Sequence, residues 1–153
     1  MSDASVVALV PAAGQAERDI ADGVVQRLGQ VAGRVVTLAS GSSSLAEAAV
    51  AAVVSGVRVV LVHDPLRGEL LPDVAARVVR AVLATGRPVV PVLPCSDTVK
   101  RVDDSSVVID TPDRDELRVV RSPIGYPAEL VTSGAVTAGT VPTGAVTIDG
   151  GPA

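Results

Sequence analysis

"SVVALVPAAGQAERD", residues 5–19, runs from an apolar stretch of strand length into a loop built on one glycine, Gly14. Beyond it Ile20, Val24, Leu28 and Val31 follow at spacings of four, four and three, one face of a helix. The same alternation repeats downstream. "RVVTLAS" (34–40) reads as a second strand, and Ser42, Ser43 or Ser44 can cap the helix "SLAEAAVAAVVS", which Gly56 ends. "VRVVLVHD" (57–64) is a third strand. "LPDVAARVVRAVLATG" is a third helix, with Pro72 in its first turn and Gly86 closing it. "PVVPVLP" (88–94) is the fourth strand. Strands alternating with helices at these intervals predict an α/β fold: a three-layer, doubly wound (Rossmann-like), mostly parallel sheet with right-handed crossovers.

Composition agrees with a sheet buried on both faces. The only aromatic residue among 153 is Tyr126, so the core falls to Val, Ala and Leu. A net charge of −4 argues against a general nucleic-acid footprint. The apolar runs are broken by Arg, Gly, Ser or Pro before a membrane-spanning length. No basic region precedes the first apolar run, so no signal peptide is read. The single cysteine, Cys95, excludes an intramolecular disulfide and a multi-cysteine metal site. A reduced, cytoplasmic, soluble protein without nucleic-acid or membrane partners is expected.

After residue 94 the pattern changes. "SDTVKRVDDSSVVIDTPDRDEL" (96–117) reads as two polar–apolar alternating strands around the turn "DDSS", an edge or a projecting β-hairpin arm. The tail "SGAVTAGTVPTGAVTIDGGPA" repeats "GAVT" at 134–137 and 144–147, too few copies for a solenoid. Residues 1–131 are expected to form a single domain including the arm, and 132–153 an extended, weakly packed tail.

Ligands of open α/β sheets bind beyond the carboxyl ends of the strands, where three polar segments fall. Gly14 permits a tight turn whose following helix offers free N–H groups to a phosphate, with Arg18 near enough to assist. A plain strand-to-helix turn is the commoner origin of such a loop. In "HDPLRG", Asp64 could hold Mg²⁺ and Arg67 face a phosphate; an Asp–Arg pair stabilising the turn is the reading that spacing alone favours. His63 reads as a packing or hydrogen-bonded residue and Cys95 as a small buried one. On a strand, Asp97, Val99 and Arg101 would face one way and Thr98 and Lys100 the other, so these last two could grip one phosphate. Arg114, between Asp113 and Asp115, suggests a salt-bridged surface turn.

Taken in order, "VVALVPAAGQAER", "VVLVHDPLRGELLP", "PVVPVLPCSDTVKRVD" and "VVIDTPDRDELRVVRSPIGYPAEL" together resemble the 2-C-methyl-D-erythritol 4-phosphate cytidylyltransferase family, its actinobacterial branch most of all. That family joins CTP to methylerythritol phosphate and releases pyrophosphate in isoprenoid precursor synthesis. The resemblance implies that Ala12, Ala13 and Gly14 belong to the CTP loop, with Arg18 as its catalytic arginine, which contacts phosphates and helps the transition state. It implies that Asp64 holds the metal, Mg²⁺, beside Arg67, and that Asp97, Thr98 and Lys100 meet methylerythritol phosphate. Arg114 would reach that substrate's phosphate from the partner subunit, and the hairpin 96–117 would embrace a second protomer to form a homodimer.

Several positions depart from the family pattern. Ala16 stands at the loop's second glycine, and Val25 and Gln26 stand at its "P-K" pair. Ser44 replaces a base-reading arginine, "SPI" (122–124) replaces "T-P-Q", a strand-helix portion before residue 34 or 40 is missing, and the tail lacks the family's C-terminal lysine and acidic contact. A neutral amide cannot supply the charge of an ammonium to a transferring phosphoryl group. The expectation is a cytidylyltransferase-like domain with weak or lost catalysis. The alternative is a non-catalytic, dimeric binding or regulatory module derived from that fold.

Overall fold

The computed structural model describes residues 3–12, 15–39 and 44–152, apart from the side chains of residues 15–21 and 39. The first half alternates as β1 (Asp3–Ala12), α1 (Gln15–Leu28), β2 (Ala32–Ala39), α2 (Leu45–Ala52) and β3 (Val59–Val62). A short turn of helix at Pro65–Arg67 leads to α3 (Pro72–Thr85) and β4 (Val89–Pro94). There follow β5 (Arg101–Val102), β6 (Val108–Asp110), β7 (Arg118–Val120), β8 (Ile124–Pro127), α4 (Ala128–Thr132) and β9 (Val146–Asp149).

β1 explains the three layers. Its Val6, Ala8, Val10 and Ala12 pack with Val24 and Leu28 of α1 and with α3, while Val7 and Leu9 pack with Ala49 and Ala52 of α2 and with α4. Alternate residues point to opposite faces, so a strand covered on both sides must be apolar throughout. Local chemistry sets most helix ends, but α2 stops at Ala52, short of the Gly56 expected to end it. Ser44 forms a capping box with Glu47 at the start of α2. α3 opens on Pro72, and Gly86 closes it in the left-handed conformation, φ 63°. α3 buries Val74, Ala75, Val78, Val79 and Val82, one helical face.

β1 pairs in parallel with β2 on one side and β3 on the other. β8 then inserts antiparallel between β3 and β4, so β1, β2, β3 and β4 share one direction. Val92 pairs with Val120 of β7 and Asp149 of β9, and Val89 with Gly125 of β8 and Val146 of β9. A strand has two edges, so β7 and β8 run along one edge of β4 and β9 covers the other. The doubly wound, mostly parallel sheet is as the sequence predicts; the wedge of β8 is not.

Part of the tail is packed. β9 adds four residues to the sheet, and Ala138 is buried against the α2–α4 face. The arm is a separate two-stranded sheet of β5 and β6. Its turn is organised by Asp103, whose carboxylate accepts from the N–H groups of Ser105 and Val107, both at 2.9 Å. Regular strand starts only at Arg101, and residues 98–100 have no strand pairing. The alternation that would set Thr98 and Lys100 on one strand face therefore does not apply to them. Among the described residues, no helix is long and apolar enough to cross a membrane.

Candidate ligand-binding site

After β1 the chain turns through α1 to β2 on one side. It reaches β3, on the other side of β1, by way of α2 on the opposite face. Connections leaving two neighbouring strands in opposite directions open a crevice at their carboxyl ends. A cavity of about 220 Å³ lies there, lined among others by Pro11, Leu45, Asp64, Arg67, Ser122 and Gly139.

Asp64 comes two residues after β3 and caps the Pro65–Arg67 turn. Its Oδ1 accepts from the Leu66 N–H at 3.0 Å, and its Oδ2 accepts from Arg67 Nε at 3.2 Å. Its own N–H donates to Ser122 Oγ at 2.8 Å, and Ser122 is buried. The Asp–Arg pair favoured by spacing is thus present, and both side chains also line the cavity. The side chains are about two-fifths exposed, 39% for Asp64 and 43% for Arg67, so the pair contributes little to stability and remains accessible to a ligand.

His63 points elsewhere. It is 1% exposed, and burial pushes its pKa down to about 4, against a smaller opposing effect of Asp64, so the ring is neutral at ordinary pH. Its Nδ1 has no hydrogen-bond partner among the described residues. Cys95 is half-buried rather than buried, with Sγ 3.7 Å from the Asp97 carbonyl oxygen.

Of the other sequence-derived residues, Ala12 is buried at the end of β1. Ala13, Gly14 and the side chain of Arg18 lie outside the described residues; the Arg18 backbone belongs to the first turn of α1. Asp97, Thr98, Lys100 and Arg114 are all exposed on the arm, and none lines the cavity at Asp64. Lys100 Nζ donates to Thr111 Oγ1 at 2.7 Å, and Arg114 donates to the Ser96 carbonyl at 3.2 Å. The expected Arg114 salt bridge does not form among the described residues. Asp113 instead caps a short turn by accepting from the Asp115 N–H. Leu45, Ser122 and Gly139 were not singled out as site residues from sequence. No spacing rule links them to Asp64.

The fold and the crevice define a class: doubly wound α/β proteins with a cavity at the switch point of the sheet. The model of the 2-C-methyl-D-erythritol 4-phosphate cytidylyltransferase family matches residues 26–150, and the chain belongs to that family. The chain is 43% identical over 100 residues to 2-C-methyl-D-erythritol 4-phosphate cytidylyltransferase of Rhodococcus opacus, covering 65% of this chain and 44% of that protein. It is 40% identical over 128 residues to the bifunctional enzyme IspD/IspF of Clavibacter michiganensis, covering 82% of this chain and 30% of that one. It thus spans less than half the length of these curated relatives. The solved 2-C-methyl-D-erythritol 4-phosphate cytidylyltransferase of Thermus thermophilus has the same fold, with a TM-score of 0.70 over 95% of this chain and 89% of that one at 22% identity.

Proposed function

We propose that the chain binds CTP, with a metal, and methylerythritol phosphate around the crevice at Asp64, and that it converts them to CDP-methylerythritol and pyrophosphate only weakly. The observation that carries this reading is Asp64, held beside Arg67 at the switch point of a sheet whose chain belongs to the cytidylyltransferase family.

The residues fit Mg²⁺ carried by a nucleotide. Among the described residues no group of three or more His, Cys, Asp or Glu side chains could form a cage. Mg²⁺ bound with phosphates needs only one or two carboxylates, and Asp64 supplies one. Bound there, the ion would neutralise phosphate charge. Arg67 has guanidinium N–H groups beyond the Nε that meets Asp64, and these can hold a phosphate oxygen. Ser122 fixes the backbone of Asp64 and so keeps its carboxylate aimed at the crevice.

Weak turnover follows from charge. Gln26 occupies the position of the family's lysine and is exposed on α1, and Ser44 occupies that of its arginine and is committed to capping α2. Phosphoryl transfer is mostly positioning and charge stabilisation, so each lost cation is worth orders of magnitude in rate. The arm supports a dimer in this reading. Val102, Val107, Val108 and Ile109 are each at least half exposed, and a second copy would cover them. Thr98, Lys100 and Arg114 would then serve the partner's crevice, which accords with their not lining their own.

The second reading is a non-catalytic binding module. It is favoured by the engagement of both Asp64 oxygens with its own turn and of Lys100 with Thr111. Calorimetry with CTP and Mg²⁺, with methylerythritol phosphate alone, and with all three decides between them, alongside a pyrophosphate-release assay. The proposal expects magnesium-dependent CTP binding that Asp64→Ala abolishes, and slow pyrophosphate release. Release at the typical enzyme rate of about 10 s⁻¹, lost in Asp64→Ala, would reject weak catalysis. Binding with no release favours the module, and no binding of either ligand rejects both.

A further inference from the structure

Tyr126 is fully buried on the α2–α4 face, and its backbone is locked in β8 opposite Val60 of β3. Its hydroxyl does more than fill space. It accepts from the Gly139 N–H at 2.9 Å and donates to the Thr140 carbonyl at 2.5 Å. Among the described residues, these are the only hydrogen bonds that tie residues 138–140 to the sheet; the others they make are local, from Thr140 back to Thr137. Gly139 is also a wall of the cavity at Asp64. It has φ +91°, and a Cβ built on it would lie 2.5 Å from Leu45 Cδ2, so its bare backbone packs directly on another lining residue.

A rigid strand, one phenol, a tail turn and the cavity are therefore joined in series. We propose that Tyr126 is a positioning residue of this site: its hydroxyl holds the 137–140 turn in place as the wall that the tail adds to the cavity beside Asp64. The inference rests on the reading that this cavity is where the ligand binds. Burial pushes the Tyr126 pKa up to about 12, so the hydroxyl remains a donor throughout the physiological range. Among the described residues, nothing else in the cavity lining comes from beyond residue 124. Without the phenol the tail turn would be held there by apolar packing alone, of Ala138 on the α2–α4 face and of Gly139 on Leu45.

Tyr126→Phe tests this, since it keeps the buried ring and deletes only the hydroxyl. In the free protein, amide hydrogen exchange of Gly139 and Thr140 should accelerate about tenfold, the equivalent of one net hydrogen bond, with β1 and β3 unchanged. Affinity for CTP with Mg²⁺, measured by calorimetry, should fall by about the same factor. A tyrosine serving only the core would lower the melting temperature, leaving the exchange pattern and the affinity of the folded protein unchanged. Gly139→Ala should reproduce the loss of affinity with the hydroxyl intact, because it displaces the same wall against Leu45. Exchange at 139–140 that stays slow in Tyr126→Phe overturns the proposal, as does equal CTP affinity in wild type and both variants. If the wild type binds no CTP, the functional reading fails, and exchange in the free protein still decides what Tyr126 holds.

Discussion

Gly125→Ala would place a methyl carbon 2.4 Å from Val78 Cγ1 and 2.9 Å from Val82 Cγ2, where β8 passes beneath α3. Carbon atoms in contact sit about 3.5–4.0 Å apart, so neither distance can persist. Valine side chains in a helix have one strongly preferred χ1 rotamer, which leaves the two methyl groups unable to swing aside. The strain must pass into α3, whose Val74, Ala75, Val78, Val79 and Val82 are all buried on the sheet. Overpacking of this kind costs roughly 1–3 kcal/mol, and the reduced freedom of the unfolded chain returns about 0.4–1 kcal/mol. The net loss expected is about 1 kcal/mol, measurable against a typical domain's stability of about 5–15 kcal/mol. Urea unfolding at constant m-value measures it. Val78→Ala alone should cost roughly 2 kcal/mol through lost burial and a small cavity. Combined with Gly125→Ala it should cost little more, because the new methyl enters the space vacated. A coupling of at least about 1 kcal/mol is expected from residues in direct contact. Gly125→Ala indistinguishable from wild type, or strictly additive with Val78→Ala, would refute the placement of β8 under α3.

Tyr126 is the only tyrosine and the chain has no tryptophan, so phenolate absorbance reports this one group. Its pKa is raised by burial from 10.0 to about 12, so its contribution to stability is intact below pH 10 and is lost as pH rises toward 12. The loss should reach about 1.4 kcal/mol near pH ~11, and titration of the folded protein at an unshifted pKa would contradict the burial argument. Ser122→Ala removes the acceptor for the Asp64 N–H, leaving a half-buried donor unpaired. It should cost about 1–3 kcal/mol and weaken magnesium-dependent CTP binding, and unchanged binding would show that Asp64 needs no such support. Paired Val108→Asp and Ile109→Asp changes on the exposed arm should convert the proposed dimer to monomer in light scattering with unchanged circular dichroism. A wild type that is already monomeric would remove that part of the proposal.

Asp64 is legible from its place, since a carboxylate just past the end of a buried strand falls at the carboxyl edge of a parallel sheet. Arg67 followed from the same turn. The partners that shape their surroundings were not: Ser122 is 58 residues away from Asp64 along the chain, and Gly139 lies in a tail whose composition reads as linker. Thr98 and Lys100 were misplaced on a strand face because polar–apolar alternation extends past the end of the pairing that makes a strand. That pairing starts at Arg101.

By itself the sequence determined which elements form and which of their faces are apolar. Those are local properties: the 3.6-residue spacing of α1 and α3, the two-sided apolar runs of β1 and β3, the helix starts at Ser44 and Pro72, and the stop at Gly86. Only the tertiary structure decided that the four residues of β8 separate β3 from β4, that β9 of the tail closes the far edge, and that Tyr126 reaches across to Gly139. The entropy of closing a loop depends only weakly on its length, so many pairings of short apolar strands cost nearly the same chain entropy. What chooses among them is the fit of particular side chains brought together from far apart, such as Gly125 beneath Val78, and no local pattern records that fit.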